Sequence, residues 1–63
     1  QPYQERVIEE KKQLDDRLKR LKAFIVGENF STLTGVEQEL LIEQCLLMGK
    51  YSNILNKRIG VFK

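Results

Sequence analysis

Tyr3, Arg6, Glu10 and Arg17 are the residues of this 63-residue chain best suited to holding a ligand. Their spacing of three, four and seven sends them to one flank of a helix. A tyrosine ring offers a flat face on which a base can stack, and an arginine offers a planar fork that grips phosphate. A plainer reading fits the same residues, with Tyr3 packing at a helix end and the arginines solvated or paired to Glu10. A second set, Gln44, Tyr51 and Arg58, recurs every seven residues along an apolar stripe. Polar residues in such a seam often set register and oligomer state. Tyr51 reads as a core aromatic whose hydroxyl reaches a partner. Arg58 reads either as a cation on the helix dipole or as a functional group gathered at a symmetry axis.

Catalysis is not expected. General acid–base work near neutral pH favours histidine or a carboxylate perturbed by burial, and the chain has no histidine. Adjacent Glu9 and Glu10, and Asp15 and Asp16, point about 100° apart on a helix and do not share a face. There is no glycine-rich phosphate loop and no nucleophile motif. The single cysteine, Cys45, can form no internal disulfide and no metal site alone, so neither metal nor cofactor is expected. It reads as a small buried hydrophobe in a reducing compartment.

Charge narrows the partners. The net charge is +2 although 32% of residues are charged, so there is no broad basic excess. Seven lysines and arginines lie between Arg6 and Lys22, but Glu5, Glu9, Glu10, Asp15 and Asp16 interleave with them and argue against polymeric nucleic acid. No apolar run approaches 18 residues, so no membrane span is expected. The charged N-terminus lacks the apolar core of a secretory signal. The chain begins without methionine, so residues before Gln1 are expected.

The elements that must position these groups are two. Good helix formers dominate from about residue 3 to 25, and Val7, Leu14, Leu18, Leu21 and Ile25 form one seam. The seam appears broken at Glu10 and Lys11, which argues against a long coiled coil. Asp15 with Lys19, and Asp16 with Arg20, are acid-then-base pairs four apart. Gly27 is the expected helix stop, and residues 27–34 form a linker in which Phe30 and Leu33 plug the hairpin end. Thr34 and Glu37 have capping-box spacing, with Ser31 as a competing cap. A second helix then spans about residues 35–59, with Gly49 in its middle marking a kink or a close helix contact. The fold expected is one all-α domain over residues 1–63, a hairpin of two long amphipathic helices.

A chain this short buries little surface and is marginal alone, and oligomerisation is the remedy its composition leaves open. On helical spacing Leu40, Leu41, Leu47, Met48, Tyr51, Ile54, Leu55, Ile59 and Phe62 share one broad face, while Ile42 and Leu46 point away from it. A lone hairpin has nothing to cover those two. A compact homo-oligomer is therefore expected, with Ile42, Leu46, Gln44 and Tyr51 at its interface.

The order of short blocks adds a resemblance. Tyr3-Gln4-x-Arg6-Val7-x-x-Glu10 leads into Leu14-Asp15-x-Arg17-Leu18-x-x-Leu21-x-x-Phe24. Phe30-Ser31-x-Leu33, Glu37-Gln38-x-Leu40-Leu41 and Met48-x-x-Tyr51-Ser52-x-x-Leu55-x-x-Arg58-Ile59 follow. Over nearly its whole length the chain resembles the small helical phage proteins grouped around a crAss-like phage protein, which include the anti-CBASS cyclic-nucleotide sponges. The resemblance implies a homo-hexamer that sequesters cyclic oligonucleotide immune messengers in the cytoplasm of the infected bacterium. It implies cyclic dinucleotides held between subunits by a tyrosine and a basic residue of the first helix, here Tyr3 and Arg17, with Arg20 and Lys19 as alternates and Arg6 nearby. It implies cyclic trinucleotides at separate sites where three subunits meet, near Arg58. The alternative from a different class is a phage protein–protein interaction module that inhibits a host factor.

Overall fold

The computed structural model describes residues 1–62, and among them it is all-helical. Helix α1 spans Pro2–Ile25, a 3-10 helix spans Glu28–Thr32, and helix α2 spans Gly35–Gly60. The two long helices lie side by side and antiparallel in a rod 46 Å long and 14 Å across. Pro2 opens α1, where its missing N–H costs nothing. Gly27 ends α1, but not through a left-handed turn: its φ is −85° and its ψ 171°. A Cβ there would sit 3.3 Å from the carbonyl oxygens of both Ala23 and Phe24. Glycine suits this position because a side chain there would crowd the carbonyls at the helix end.

The linker is more ordered than its composition suggests. Ser31 and Thr32 donate to the carbonyls of Glu28 and Asn29 and stabilise the 3-10 helix, so Ser31 does not cap α2. Thr34 does, its Oγ1 accepting from the Glu37 amide at 3.2 Å. Among the described residues the reciprocal bond from the Glu37 carboxylate is not formed. Gln38 instead donates to the carbonyls of Phe30 and Leu33, both at 3.1 Å, and ties the turn to the first turn of α2. Phe30 packs edge-on against Phe24, with ring centroids 6.4 Å apart.

The core is one seam. Val7, Leu14, Leu18 and Leu55 are buried, and Met48, Ile59 and Phe62 pack against the cluster of Val7, Leu14 and Leu55. On α1 the inward residues are Gln4, Val7, Lys11, Leu14, Leu18, Leu21 and Ile25, an unbroken alternation of three and four. The break expected at Glu10 and Lys11 is therefore a polar layer within the seam. Lys11 lays its hydrocarbon stem along the seam and places its Nζ 2.5 Å from Asp15 Oδ2. Ser52 of α2 donates its hydroxyl to the other oxygen of the same carboxylate. Asp15 thus pairs backward with Lys11 rather than forward with Lys19, because its seam-side position also brings it to Ser52. Asp16 and Arg20 do pair, at 2.7 Å on the exposed side.

The broad face expected on α2 is split. One neighbouring helix covers only one stripe, and residues one apart diverge by about 100°. Leu41, Met48 and Leu55 turn inward, while Leu40, Leu47, Tyr51 and Ile54 stay outside, Leu47 at 57% and Tyr51 at 42% exposure. Ile42 and Leu46 are exposed on the opposite flank. At Gly49 a Cβ would meet nothing within 4 Å, so no close contact inside the chain explains it.

The polar layer gives a pH dependence. Hydrogen bonds from Lys11 and then from Ser52 hold the Asp15 carboxyl below its usual range, against an opposing effect of partial burial. A depressed folded pKa stabilises fully above the ordinary aspartate pKa of about 3.9, and this stability is lost as pH falls through the folded value. Urea midpoints at about pH 6 and about pH 2.5 should therefore differ more for the wild type than for Asp15→Asn. Equal acid sensitivity in the two proteins would show that the layer contributes nothing.

Candidate functional site

The open end of the hairpin gathers residues from both ends of the chain. The Tyr3 ring stands edge-on to Phe62, with centroids 5.9 Å apart and planes at 78°. Tyr3 nevertheless keeps 53% of its surface exposed. It is thus packed at a helix end and still has area for stacking. Arg6 lies about one turn further along α1. Arg58 lies one turn before Phe62 on α2, about 6 Å along the axis. Antiparallel pairing therefore brings Tyr3, Arg6 and Arg58 to one end of the rod, although more than fifty residues separate the first from the last. Both arginines are exposed, and among the described residues neither forms an ion pair.

The other basic residues lie elsewhere. Arg17 shares Tyr3's side of α1 and is exposed and unpaired among the described residues. However, it stands fourteen residues away, about 21 Å along the axis. The two do not form one compact pocket within a chain, and a compact site that uses both takes them from two copies. Arg20 is engaged by Asp16. Lys19 projects about 160° from Tyr3 around the helix and does not share its flank.

Shallow apolar clefts lie along the outside of α2. One is lined by Leu40, Glu43, Gln44, Leu47, Met48 and Tyr51. A second, at the closed end, is lined by Phe24, Leu33, Glu37, Leu40 and Leu41. Neither contains a lysine or arginine, so neither suits a phosphate. They suit another apolar surface. Gln44 and Tyr51 border the first cleft, whereas Ile42 and Leu46 sit on the opposite flank, so these four residues do not form one patch. Among the described residues the Tyr51 hydroxyl makes no hydrogen bond, and Gln44 reaches only the Met48 sulfur, at 3.8 Å.

Phe62 packs on the core together with Ile59, with which it shares the apolar face of the sequence pattern. Gln38 stands outside that apolar face, yet it is half-buried and continues the three-and-four spacing of the α2 seam before Leu41. That spacing is the signal that marks it. No group of metal-ligating side chains occurs among the described residues, and no described helix is long and apolar enough to cross a membrane.

A family model described as Sequestin matches residues 1–61. A protein of Enterobacteria phage T4, named "Uncharacterized 7.5 kDa protein in denB-rIIB intergenic region", is 44% identical over 61 residues, covering 97% of this chain and 95% of the relative. No solved structure matches.

Proposed function

The chain belongs to the Sequestin family, and on that premise we propose that it sequesters cyclic oligonucleotide immune messengers without altering them. The working unit is a symmetric homo-oligomer, a hexamer in keeping with the resemblance read from the sequence, acting in the cytoplasm of a phage-infected bacterium. Cyclic dinucleotides bind between subunits, and cyclic trinucleotides bind where copies of Arg58 meet. By holding these messengers the protein blocks CBASS-type signalling.

The observation that carries this reading is the separation of Tyr3 from Arg17 on one rigid helix. Each has uncommitted binding capacity, and with about 21 Å between them along the axis a compact joint site is one that two copies complete. The apolar clefts are lined by no lysine or arginine, which suits a protein that assembles through its apolar stripe and binds anions through its arginines. Capture needs no bond-making. Bases stack on Tyr3, arginines hold the phosphates, and burial between subunits slows release. The competing reading, a module that docks on a host protein, draws on the same exposed apolar stripe.

Calorimetry of three variants tests the ligand assignments. Tyr3→Ala should weaken cyclic-dinucleotide binding by about 1–3 kcal/mol per stacked base. Tyr3→Phe keeps both the ring and its contact with Phe62, and should bind nearly as the wild type does. Arg58→Ala should weaken trinucleotide binding and largely spare dinucleotide binding. Unchanged dinucleotide affinity in Tyr3→Ala would move that site elsewhere. Loss of both ligands together with a lower melting temperature in Arg58→Ala would make Arg58 a structural helix-end residue. A wild type that binds neither ligand would favour the protein-docking reading.

A further inference from the structure

We infer that the Asp15–Ser52 hydrogen bond selects which of two apolar stripes on α2 packs against α1, and so keeps the other stripe free. The two stripes run side by side, one residue and about 100° apart, with the same alternation of three and four. The inner one carries Leu41, Cys45, Met48, Leu55, Ile59 and Phe62. The outer one carries Leu40, Leu47, Tyr51, Ile54 and Val61. Each is also interrupted by polar residues, Gln38 and Ser52 inside, Glu37, Gln44 and Arg58 outside. Apolar content favours the inner stripe only by six residues to five, so hydrophobic burial alone leaves α1 a modest preference that a single polar contact can reinforce.

The polar layer does distinguish them. The α1 seam has Lys11 in its middle and Asp15 at its edge, joined at 2.5 Å. Packed on the inner stripe, the carboxylate receives the Ser52 hydroxyl as its second donor. Rolled onto the outer stripe, the layer would face the Tyr51 ring and the branched carbons of Ile54. The Tyr51 hydroxyl lies a full ring length beyond where the Ser52 oxygen sits. A hydrogen bond to a charged acceptor is among the stronger ones, and a polar group in a seam commonly specifies an arrangement more than it adds stability. The inference concerns the hairpin itself and holds whether or not a nucleotide binds.

Two native reporters read the choice. Phe62 contacts Tyr3 in the observed arrangement. Cys45, the one cysteine, is half-buried on the inner stripe and would be uncovered by a roll. Ser52→Ala removes the hydroxyl and favours helix. It should give a second set of amide resonances and Cys45 modification by an aromatic disulfide reagent about threefold faster or more, a change within the net worth of one hydrogen bond. The exchange variant Tyr51→Ser/Ser52→Leu moves the hydroxyl to the outer stripe. It should lose the Tyr3–Phe62 nuclear Overhauser contact and leave Cys45 unprotected. A single set of resonances with wild-type Cys45 protection in both variants overturns the inference. If circular dichroism shows the exchange variant unfolded, Ser52→Ala decides alone, and one set of resonances with unchanged Cys45 protection overturns the inference.

Discussion

Leu47→Asp is expected to dissolve the assembly and, with it, much of the protein's resistance to unfolding. Leu47 sits midway along the outer stripe and is 57% exposed in the single chain, so the substitution removes little packing within the hairpin. In the proposed assembly a partner chain would cover the same position. Each buried leucine contributes about 1.5–3 kcal/mol, and an aspartate there adds an unpaired charge in an apolar contact. The effect repeats at every copy of the interface. A hairpin in which Val7, Leu14, Leu18 and Leu55 are the buried apolar residues among those described has little stability of its own, so the melting temperature should fall along with the mass. Light scattering should read a single-chain mass for Leu47→Asp and a multiple of it for the wild type. Leu46→Asp probes the opposite flank in the same way. A wild type that is already a folded monomer at micromolar concentration would remove the basis for both expectations.

The second large effect is expected at Leu55, whose side chain has no exposed surface. It belongs to the cluster with Val7 and Leu14, beside the polar layer. Truncating a buried leucine to alanine costs about 2–5 kcal/mol through lost transfer energy and the cavity left behind. A hairpin this small has few other contacts to absorb such a loss. Leu55→Ala should therefore be largely unfolded under conditions where Val36→Ala, an exposed change, stays within about 0.5 kcal/mol of wild type. Urea titration followed by circular dichroism measures both. A shift at Leu55 no larger than at Val36 would mean that the two helices do not pack through this seam.

Two long helices were readable from the sequence because local signals mark them. Good helix formers fill both segments, the chain bends sharply at Gly27, and Thr34 caps the helix that follows. The α1 seam was readable too, apart from its centre. Lys11 looked like an interruption because periodicity records residue type and misses a stem that packs while its charged end finds Asp15. Asp15 looked like a partner for Lys19 because spacing along one helix cannot reveal Ser52, 37 residues away. The stripe of Leu40, Leu47, Tyr51 and Ile54 was merged with the true core for a related reason. Apolar residues one position apart form one broad face on a helical projection, and only the partner helix divides it. The open end was hidden in the same way. Tyr3 and Arg58 looked like parts of distant regions, and antiparallel pairing sets them at one end of the rod. What was legible was local, and what was missed depended on which residues of the two helices stand opposite each other.

The central claim is that an assembly of this chain holds a cyclic oligonucleotide and releases it unaltered. Native mass spectrometry of the wild type mixed with a cyclic dinucleotide, followed by heat release and a mass measurement of the freed nucleotide, tests it most directly. The expected result is a multimer carrying a fixed number of ligands per assembly, with the released nucleotide at its starting mass. A monomer without ligand, or a nucleotide recovered in hydrolysed form, would contradict the account.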